Sequence, residues 1–99
     1  MSKQNKYTKS AKGQPCTVRI PGVCRPAPEN ETTVLAHLNG YGMGGKHLSI
    51  HGAYACAECH RWLDYEWTKQ TSKHHRDEIH LWAVIETQQI MVKEGILEL

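Results

Sequence analysis

The first half of the chain alternates short apolar stretches with turn-forming residues, whereas the second half follows a helical pattern. CTVRI at residues 16–20 reads as a short strand, and TTVLAHL at 32–38 is β-branched and predicts an extended strand that ends near His37. A weaker strand is expected over residues 48–54. Between about residue 57 and Gly95 no glycine or proline interrupts the chain, so helices are expected there. The pattern predicts a small α+β domain.

A separate final helix is expected near the C-terminus. Asp77 and Glu78 would begin it, because carboxylates favour the positive end of the helix dipole, and Gly95 would end it. Its apolar stripe is predicted to comprise Leu81, Val84, Ile85, Met91 and Val92. Trp62, Trp67 and Trp82 are expected in the core, because the chain has no phenylalanine, and stacking on bases is the alternative. His74, His75 and His80 are expected on helix surfaces or between helices.

Two segments lack regular patterning. Residues 1–14 are polar and rich in lysine, which predicts a flexible basic arm in front of one folded domain at 15–99. NGYGMGGKH at 39–47 has four glycines in nine residues and predicts an exposed loop that can approach a ligand closely. His47 and His51, which flank LSI, are either loop surface residues or contacts to metal or substrate.

Charge is distributed unevenly along the chain. The net charge is +2, but residues 1–28 carry six basic and no acidic side chains, and residues 29–99 carry six basic and ten acidic ones. A basic end on an acidic body indicates attraction to a polyanion such as nucleic acid, although a solubilising tail is the alternative. Without a long apolar run or a signal-like N-terminus, the protein is expected in the cytoplasm with no membrane partner.

Four cysteines predict a metal site. Cys56 and Cys59 form a CxxC where a helix should begin, and a Pro-Gly turn can bring Cys16 and Cys24 together. In a reducing compartment such a set favours a closed structural zinc site over disulfides. Independent buried thiols and a thioredoxin-like redox pair are the alternatives, and the latter fits poorly because no βαβ pattern surrounds the CxxC.

Histidines next to this site indicate a second kind of chemistry. His60 and Asp64 are four residues apart on a helix and can hold a divalent ion, or simply share a hydrogen bond. His37, at the end of a strand, would face them in a compact ββα unit. A neutral imidazole there could deprotonate water while the ion stabilises the charge on a phosphate, which is the machinery of phosphodiester hydrolysis.

The residues that carry this pattern resemble a known superfamily. A cysteine pair, AH, a glycine-rich loop and CxxCH look like the HNH, or ββα-metal, nucleases. CTVRIPGVC, TTVLAH, GMG and GAYACAECHRWLD are more similar to the small prophage-encoded YbcO-like nucleases, relatives of the RecA-dependent Ref nuclease of a phage, over about residues 12–95. The resemblance implies that His37 is the general base, His60 a ligand of the catalytic ion, and the four cysteines the zinc site.

The chain departs from the HNH pattern at two points. Ala36 stands where many members have a metal-binding Asp or His, and the middle Asn is not evident. Asp64, His51 or His47 could supply the missing ligand, and Asp64 is preferred because its helical phase is right.

The function expected is that of a metal-dependent DNA endonuclease of phage or prophage recombination, with structural Zn²⁺ and with catalytic Mg²⁺ or another divalent cation. Nucleic-acid contacts are expected from Lys12, Arg19, Lys46 and Arg61. The alternative is a non-catalytic, zinc-stabilised module on the same scaffold that binds DNA or a recombination protein. A zinc-stabilised interaction domain without nucleic acid is a third possibility.

Overall fold

The computed structural model describes residues 6–25, 27–38 and 49–98. In chain order these form helix α1 (Lys6–Ser10), strand β1 (Val34–His37), strand β2 (Gly52–Ala55), helix α2 (Ala57–Asp64) and helix α3 (Lys73–Lys93). Short 3-10 turns occur at Pro28–Asn30, Ser49–His51 and Glu66–Lys69. The predicted small α+β fold is confirmed. The predicted loop at 39–47, including Lys46 and His47, lies outside the described residues.

Strands β1 and β2 form an antiparallel pair in which Val34 lies opposite Ala55 and His37 opposite Gly52. All of β2 is buried, whereas β1 is exposed at both ends and buried at Leu35 and Ala36. These two neighbours point to opposite faces, and each joins a different apolar cluster. The centre of the hairpin is therefore covered on both sides, and β1 does not show the simple alternation of a half-buried strand.

The larger cluster surrounds the CxxC. It contains Cys16, Val18, Ile20, Ala36, Ala53, Ala55, Cys56, Cys59, Trp62, Leu63, Ala83 and Val84. The smaller cluster consists of Ala11, Leu35, Tyr54 and Met91. Helix α3 contributes to both, so it spans the two halves of the core.

The N-terminal quarter differs from its prediction. Residues 16–20 do not form a strand: Arg19 has a φ of +49°, which no extended strand adopts, and the segment is attached to β2 through the Thr17 N–H, 2.7 Å from the Tyr54 carbonyl oxygen. Within the expected flexible arm, residues 6–10 are helical and Ala11 is buried. Ala11 packs with Leu35 and Tyr54 of the hairpin, and this contact holds the segment against the fold.

Helix α3 begins four residues earlier than predicted. Ser72 is its N-cap, and the Ser72 Oγ accepts a hydrogen bond from the His75 N–H (3.2 Å), so capping outweighs the Asp77–Glu78 dipole signal. The predicted C-terminal stop is confirmed. Gly95 has a φ of +76°, and the Gly95 and Ile96 N–H groups bond to the Val92 and Met91 carbonyl oxygens in a Schellman arrangement.

The buried face of α3 is also different from the predicted stripe. Val84 and Met91 are buried, but Leu81 and Ile85 are exposed, and Trp82 is 64% exposed rather than in the core. Trp62 is buried as predicted, and Trp67 is partly buried. The buried residues of α3 are Arg76, His80, Ala83, Val84, Thr87 and Met91. Half of this face is polar, and apolar periodicity therefore could not locate it.

Those polar side chains satisfy backbone groups of neighbouring elements. Thr87 Oγ1 accepts the Tyr54 N–H (3.0 Å) and lies 3.0 Å from Thr17 Oγ1. Arg76 donates to the Leu63 carbonyl oxygen at the end of α2 (2.9 Å) and packs over the ring of Trp67. Gln88 donates to the Ile50 carbonyl oxygen before β2. Unpaired buried backbone groups cost about 1–3 kcal/mol each, so these contacts fix α3 against the hairpin.

Among the described residues, no helix has the length and apolar composition of a membrane-spanning segment.

Gly52 tests the packing of the hairpin. A Cβ atom at Gly52 would lie 2.6 Å from Leu35 Cγ, so Gly52→Ala should destabilise the domain by about 1–3 kcal/mol in urea unfolding. In a Leu35→Ala background, which removes the obstructing atoms, the same change should cost less than about 0.5 kcal/mol. An equal cost in both backgrounds would mean that Leu35 is not the obstacle.

Candidate functional site

The structure brings the four cysteines together. Their Sγ atoms all lie within 4.8 Å of one another, and the Sγ atoms of Cys24 and Cys56 are 3.8 Å apart. Cys16, Cys56 and Cys59 are buried, and Cys24 is partly exposed. In the described part of the chain this is the one set of three or more potential ligands within such range of one another.

Local backbone structure explains the approach of the two cysteine pairs. The Cys24 and Val23 N–H groups both bond to the Ile20 carbonyl oxygen, in a turn where Gly22 has a φ of +77°. On the other side, Cys56 is the N-cap of α2, and Cys59 lies in its first turn. The strand-to-helix junction therefore presents both sulfur atoms of the CxxC to the turn.

The thiols differ in their affinity for protons. A hydrogen bond from the Cys59 thiol lowers the pKa of Cys16 to about 4, and the same bond raises the pKa of Cys59. Burial, together with the negative charge of Cys16, raises the pKa of Cys24 to about 12. The cluster thus favours a thiolate at Cys16, and the thiols of Cys24 and Cys59 resist ionisation unless a cation compensates their charge.

The donor set fits a tetrahedral metal ion such as zinc. A Zn–S distance of about 2.3 Å implies sulfur–sulfur edges of about 3.8 Å, which agrees with the Cys24–Cys56 separation. The Arg19 N–H also points at Cys16 Sγ (3.5 Å), as expected for a backbone donor to a sulfur that carries negative charge. Four protein ligands leave no open position, so an ion here would have a structural role.

One residue beyond Cys59, helix α2 carries the predicted pair of His60 and Asp64. The His60 Nε2 atom is 3.4 Å from the Asp64 Oδ2 atom, and the two side chains are 42% and 35% exposed. Both are accessible, and they share a face of α2. No third His, Cys or carboxylate of the described residues completes a metal-binding group with them.

His37 is the last residue of β1 and is exposed. It lies opposite Gly52, the first residue of the strand that leads into α2. The order strand, strand, helix over residues 34–64 thus places His37 at one end of the hairpin, and the chain passes through Cys56 into the helix that carries His60.

The predicted nucleic-acid side chains have different surroundings. Lys12 is exposed after α1, and Arg61 is exposed with an intrahelical ion pair to Glu58 (3.1 Å). Arg19 forms two hydrogen bonds to the carboxylate of Glu86 on α3, at 2.6 and 2.9 Å. The guanidinium of Arg19 therefore ties the cysteine-bearing turn to α3, and nucleic acid would have to compete with Glu86 for it.

The sequence predicts His80 on a helix surface or between helices. In the structure His80 is buried beneath β1, with 1% exposure. Its Nε2 atom is 2.8 Å from the carbonyl oxygen of Ala36, directly before His37, so Nε2 carries the proton. Among the described residues no group pairs with its buried Nδ1. Helical phase is the sequence signal that could have indicated burial of His80, because it lies four residues before Val84 and eleven before Met91, which are both buried.

Burial lowers the pKa of His80; the hydrogen bond to the Ala36 carbonyl oxygen opposes this, as do the charges of Asp64 and Asp77, whereas the positive charge of Arg76 acts in the same direction as burial. The unfolded chain therefore binds a proton first as pH falls. The stability linked to His80 is fully present above its unfolded pKa of about 6.5 and is lost as pH falls towards the lower folded value.

We expect the free energy of unfolding to fall by up to about 1.4 kcal/mol per pH unit through His80 between about pH 6.5 and 5.5. His80→Gln keeps a donor for the Ala36 carbonyl oxygen but does not titrate, so it should remove this part of the slope. Urea unfolding at pH 7.5, 6.5 and 5.5 with saturating zinc measures the difference. Identical slopes in parent and variant would contradict the assignment.

Comparison with known proteins supports the resemblance to the YbcO-like nucleases. A family model described as "Putative nuclease YbcO" matches residues 5–96. Two curated relatives, "Putative nuclease YbcO" of Escherichia coli (strain K12) and "Putative nuclease ybcO" of Enterobacteria phage 82, are each 38% identical over 93 residues, covering 91% of this chain and 94% of theirs.

A solved structure titled "Structure of a putative bacteriophage protein from Escherichia coli str. K-12 substr. MG1655" is also similar. It has a TM-score of 0.71 and 37% identity, and the match covers 90% of this chain and 99% of that one. The family match and the relatives agree over nearly the whole sequence, and the chain belongs to the YbcO family.

Proposed function

We propose that this protein is a metal-dependent endonuclease that hydrolyses phosphodiester bonds in DNA, on an HNH-like ββα scaffold. The observation that carries the proposal is the sequence of elements around the hairpin: His37 ends β1 opposite Gly52, and β2 continues directly into α2 with its His60–Asp64 pair. The nuclease descriptions of the family and of its relatives agree with this reading.

In this proposal His37 is the general base. Its imidazole takes the proton of the attacking water, for which an exposed position at the end of the strand gives access. His60 Nε2 and a carboxylate oxygen of Asp64 would hold Mg²⁺ or another divalent cation, because their 3.4 Å separation lets one ion contact both. A cation bound there supplies charge stabilisation for the phosphorane-like transition state and the leaving oxygen.

Ala36 offers no side-chain ligand, and Asp64 would take the place of the missing one. The carbonyl oxygen of Ala36 is bound by His80. His80 thereby anchors the peptide group directly before the proposed base, which supports a fixed orientation for His37.

Binding of the substrate is proposed to rest on four basic side chains. Arg61 follows His60 on the exposed side of α2 and is proposed to bind a phosphate near the cleaved bond. Lys12, Arg19 and Lys46 are proposed as further phosphate contacts that contribute salt-sensitive affinity without sequence readout. The four cysteines are proposed to hold structural Zn²⁺.

A non-catalytic module that binds DNA or a recombination protein is the second candidate. Ala36 favours it, because a usual ligand position of the HNH pattern is lost while the cysteine cluster is complete. In phage or prophage recombination either activity would act on DNA.

The nuclease proposal predicts loss of cutting without loss of folding. Parent protein should cut plasmid or single-stranded DNA with Mg²⁺ or Mn²⁺, and His37→Ala should reduce the cleavage rate by about 10²–10⁴-fold with unchanged zinc content and melting curve. His74→Ala, at an exposed position in the first turn of α3, is the matched control and should cut like the parent.

Equal cutting by parent and His37→Ala would sink the assignment of His37 as the base. Retained DNA binding without cutting by the parent, alone or with a recombination protein, would favour the second candidate.

The zinc proposal predicts that metal and fold are lost together. Cys56→Ser should abolish stoichiometric zinc and unfold the domain, because structural zinc contributes about 10–16 kcal/mol, comparable with the whole stability of a small domain. Elemental analysis and circular dichroism melting measure both quantities. Ala57→Ser, a neighbouring exposed position on α2, should retain zinc and melt like the parent. A folded Cys56→Ser protein with unchanged metal content would refute the site.

A further inference from the structure

The N-terminal segment is fixed to the hairpin. Ser10 Oγ donates to the Tyr7 carbonyl oxygen (2.6 Å) and is 2.7 Å from the hydroxyl oxygen of Tyr54 in β2. Ala11 is 1% exposed, and Gln14 donates to Glu94 beyond α3 (2.7 Å). Lys12 lies between these anchors and Lys9 directly precedes Ser10, so both lysines are held at a defined place on the surface.

Between this segment and β1 lies a groove of about 450 Å³. Lys9 and Lys12 line one side of the groove from the N-terminal segment. Glu31, Thr33 and Val34 line its other side. Lys9, Lys12, Glu31 and Val34 are exposed. The groove thus combines two cations, one carboxylate and an accessible apolar side chain.

Each of these groups suits one part of a nucleotide. Two ammonium groups three residues apart attract a phosphate, whereas the carboxylate of Glu31 repels phosphate and accepts hydrogen bonds from an amino group such as cytosine N4. Val34, 40% exposed, offers apolar contact to a base. The buried Thr33 Oγ1 has no hydrogen-bond partner among the described residues, and such hydroxyls normally pair with a ligand or water.

We propose that this groove is a nucleotide subsite for an unpaired strand, in which Lys9 and Lys12 bind the phosphate and Glu31 binds the amino group of the base. In a duplex the faces of a base are covered by its stacked neighbours, so contact of Val34 with a base face requires a strand that is single or locally open. The subsite rests on the proposed function, because it lies at the start of β1, about 10 Å along the strand from His37. It would hold a nucleotide a short distance along the strand from the cleaved bond.

The test measures binding and needs no cleavage. Fluorescence anisotropy of zinc-loaded full chain without Mg²⁺ or Mn²⁺ gives dissociation constants for single-stranded dC and dT oligonucleotides and for a duplex. Lys9→Gln/Lys12→Gln should weaken binding of the dC strand by roughly tenfold at low salt and reduce the slope of log K against log salt by about 1, because both lysines bind one phosphate. Lys69→Gln/Lys73→Gln, with the same charge change at exposed positions, should weaken it by less than about twofold.

The parent should bind dC several-fold more tightly than dT and than duplex, and Glu31→Leu should remove the preference for dC over dT. Equal losses in the two lysine pairs would show attraction by net charge alone and overturn the subsite, as would equal binding of dC and dT by the parent. If the parent shows the expected binding but never cuts, the nuclease proposal fails and the subsite stands. If the parent cuts DNA while Lys9→Gln/Lys12→Gln and Glu31→Leu bind like the parent, the subsite is overturned and the nuclease proposal stands.

Discussion

The fold depends on hydrogen bonds that other elements make to the backbone of the hairpin, whose two strands have only four residues each. Tyr54, at the centre of β2, has its N–H bound by Thr87 and its carbonyl oxygen by Thr17, so side chain and loop groups replace a third strand. His80 and Gln88 bind further carbonyl oxygens of the hairpin and its approach. A two-stranded sheet is marginal by itself, and the polar face of α3 makes this one a rigid platform.

The cysteine cluster adds a second constraint at the point where β2 becomes α2. Helix α2 has only eight residues, too few to be stable alone; Cys56 is its N-cap and Cys59 lies in its first turn. An ion bound by all four sulfur atoms would tie the turn at 16–24 to the start of this helix. His60 follows Cys59 directly, so the same constraint would orient the proposed catalytic pair. Arg19 strengthens the connection by linking the cysteine-bearing turn to Glu86 of α3.

These two constraints separate stability from chemistry. Most of the groups that hold the hairpin and the cluster are buried, whereas His37 at the end of β1 and the His60–Asp64 pair on α2 remain accessible. Loss of an exposed imidazole should therefore leave the fold intact. The groove beside Lys9 and Lys12 lies at the other end of β1. The length of this strand would therefore set the distance between the proposed cleavage site and the nucleotide bound in the groove.

Local spacing and backbone preference suffice to predict the fold class, the strand that ends at His37, the helix after Cys56, the stop at Gly95 and the clustering of the cysteines. Packing between distant elements sets the roles of His80 and Thr87, the exposure of Leu81, Ile85 and Trp82, and the docking of residues 6–14. These depend on backbone groups far away in sequence that need partners. Hydrophobic periodicity does not show which distant backbone groups require hydrogen-bond partners. The buried polar face of α3 can therefore be recognised only when the position of the hairpin is known.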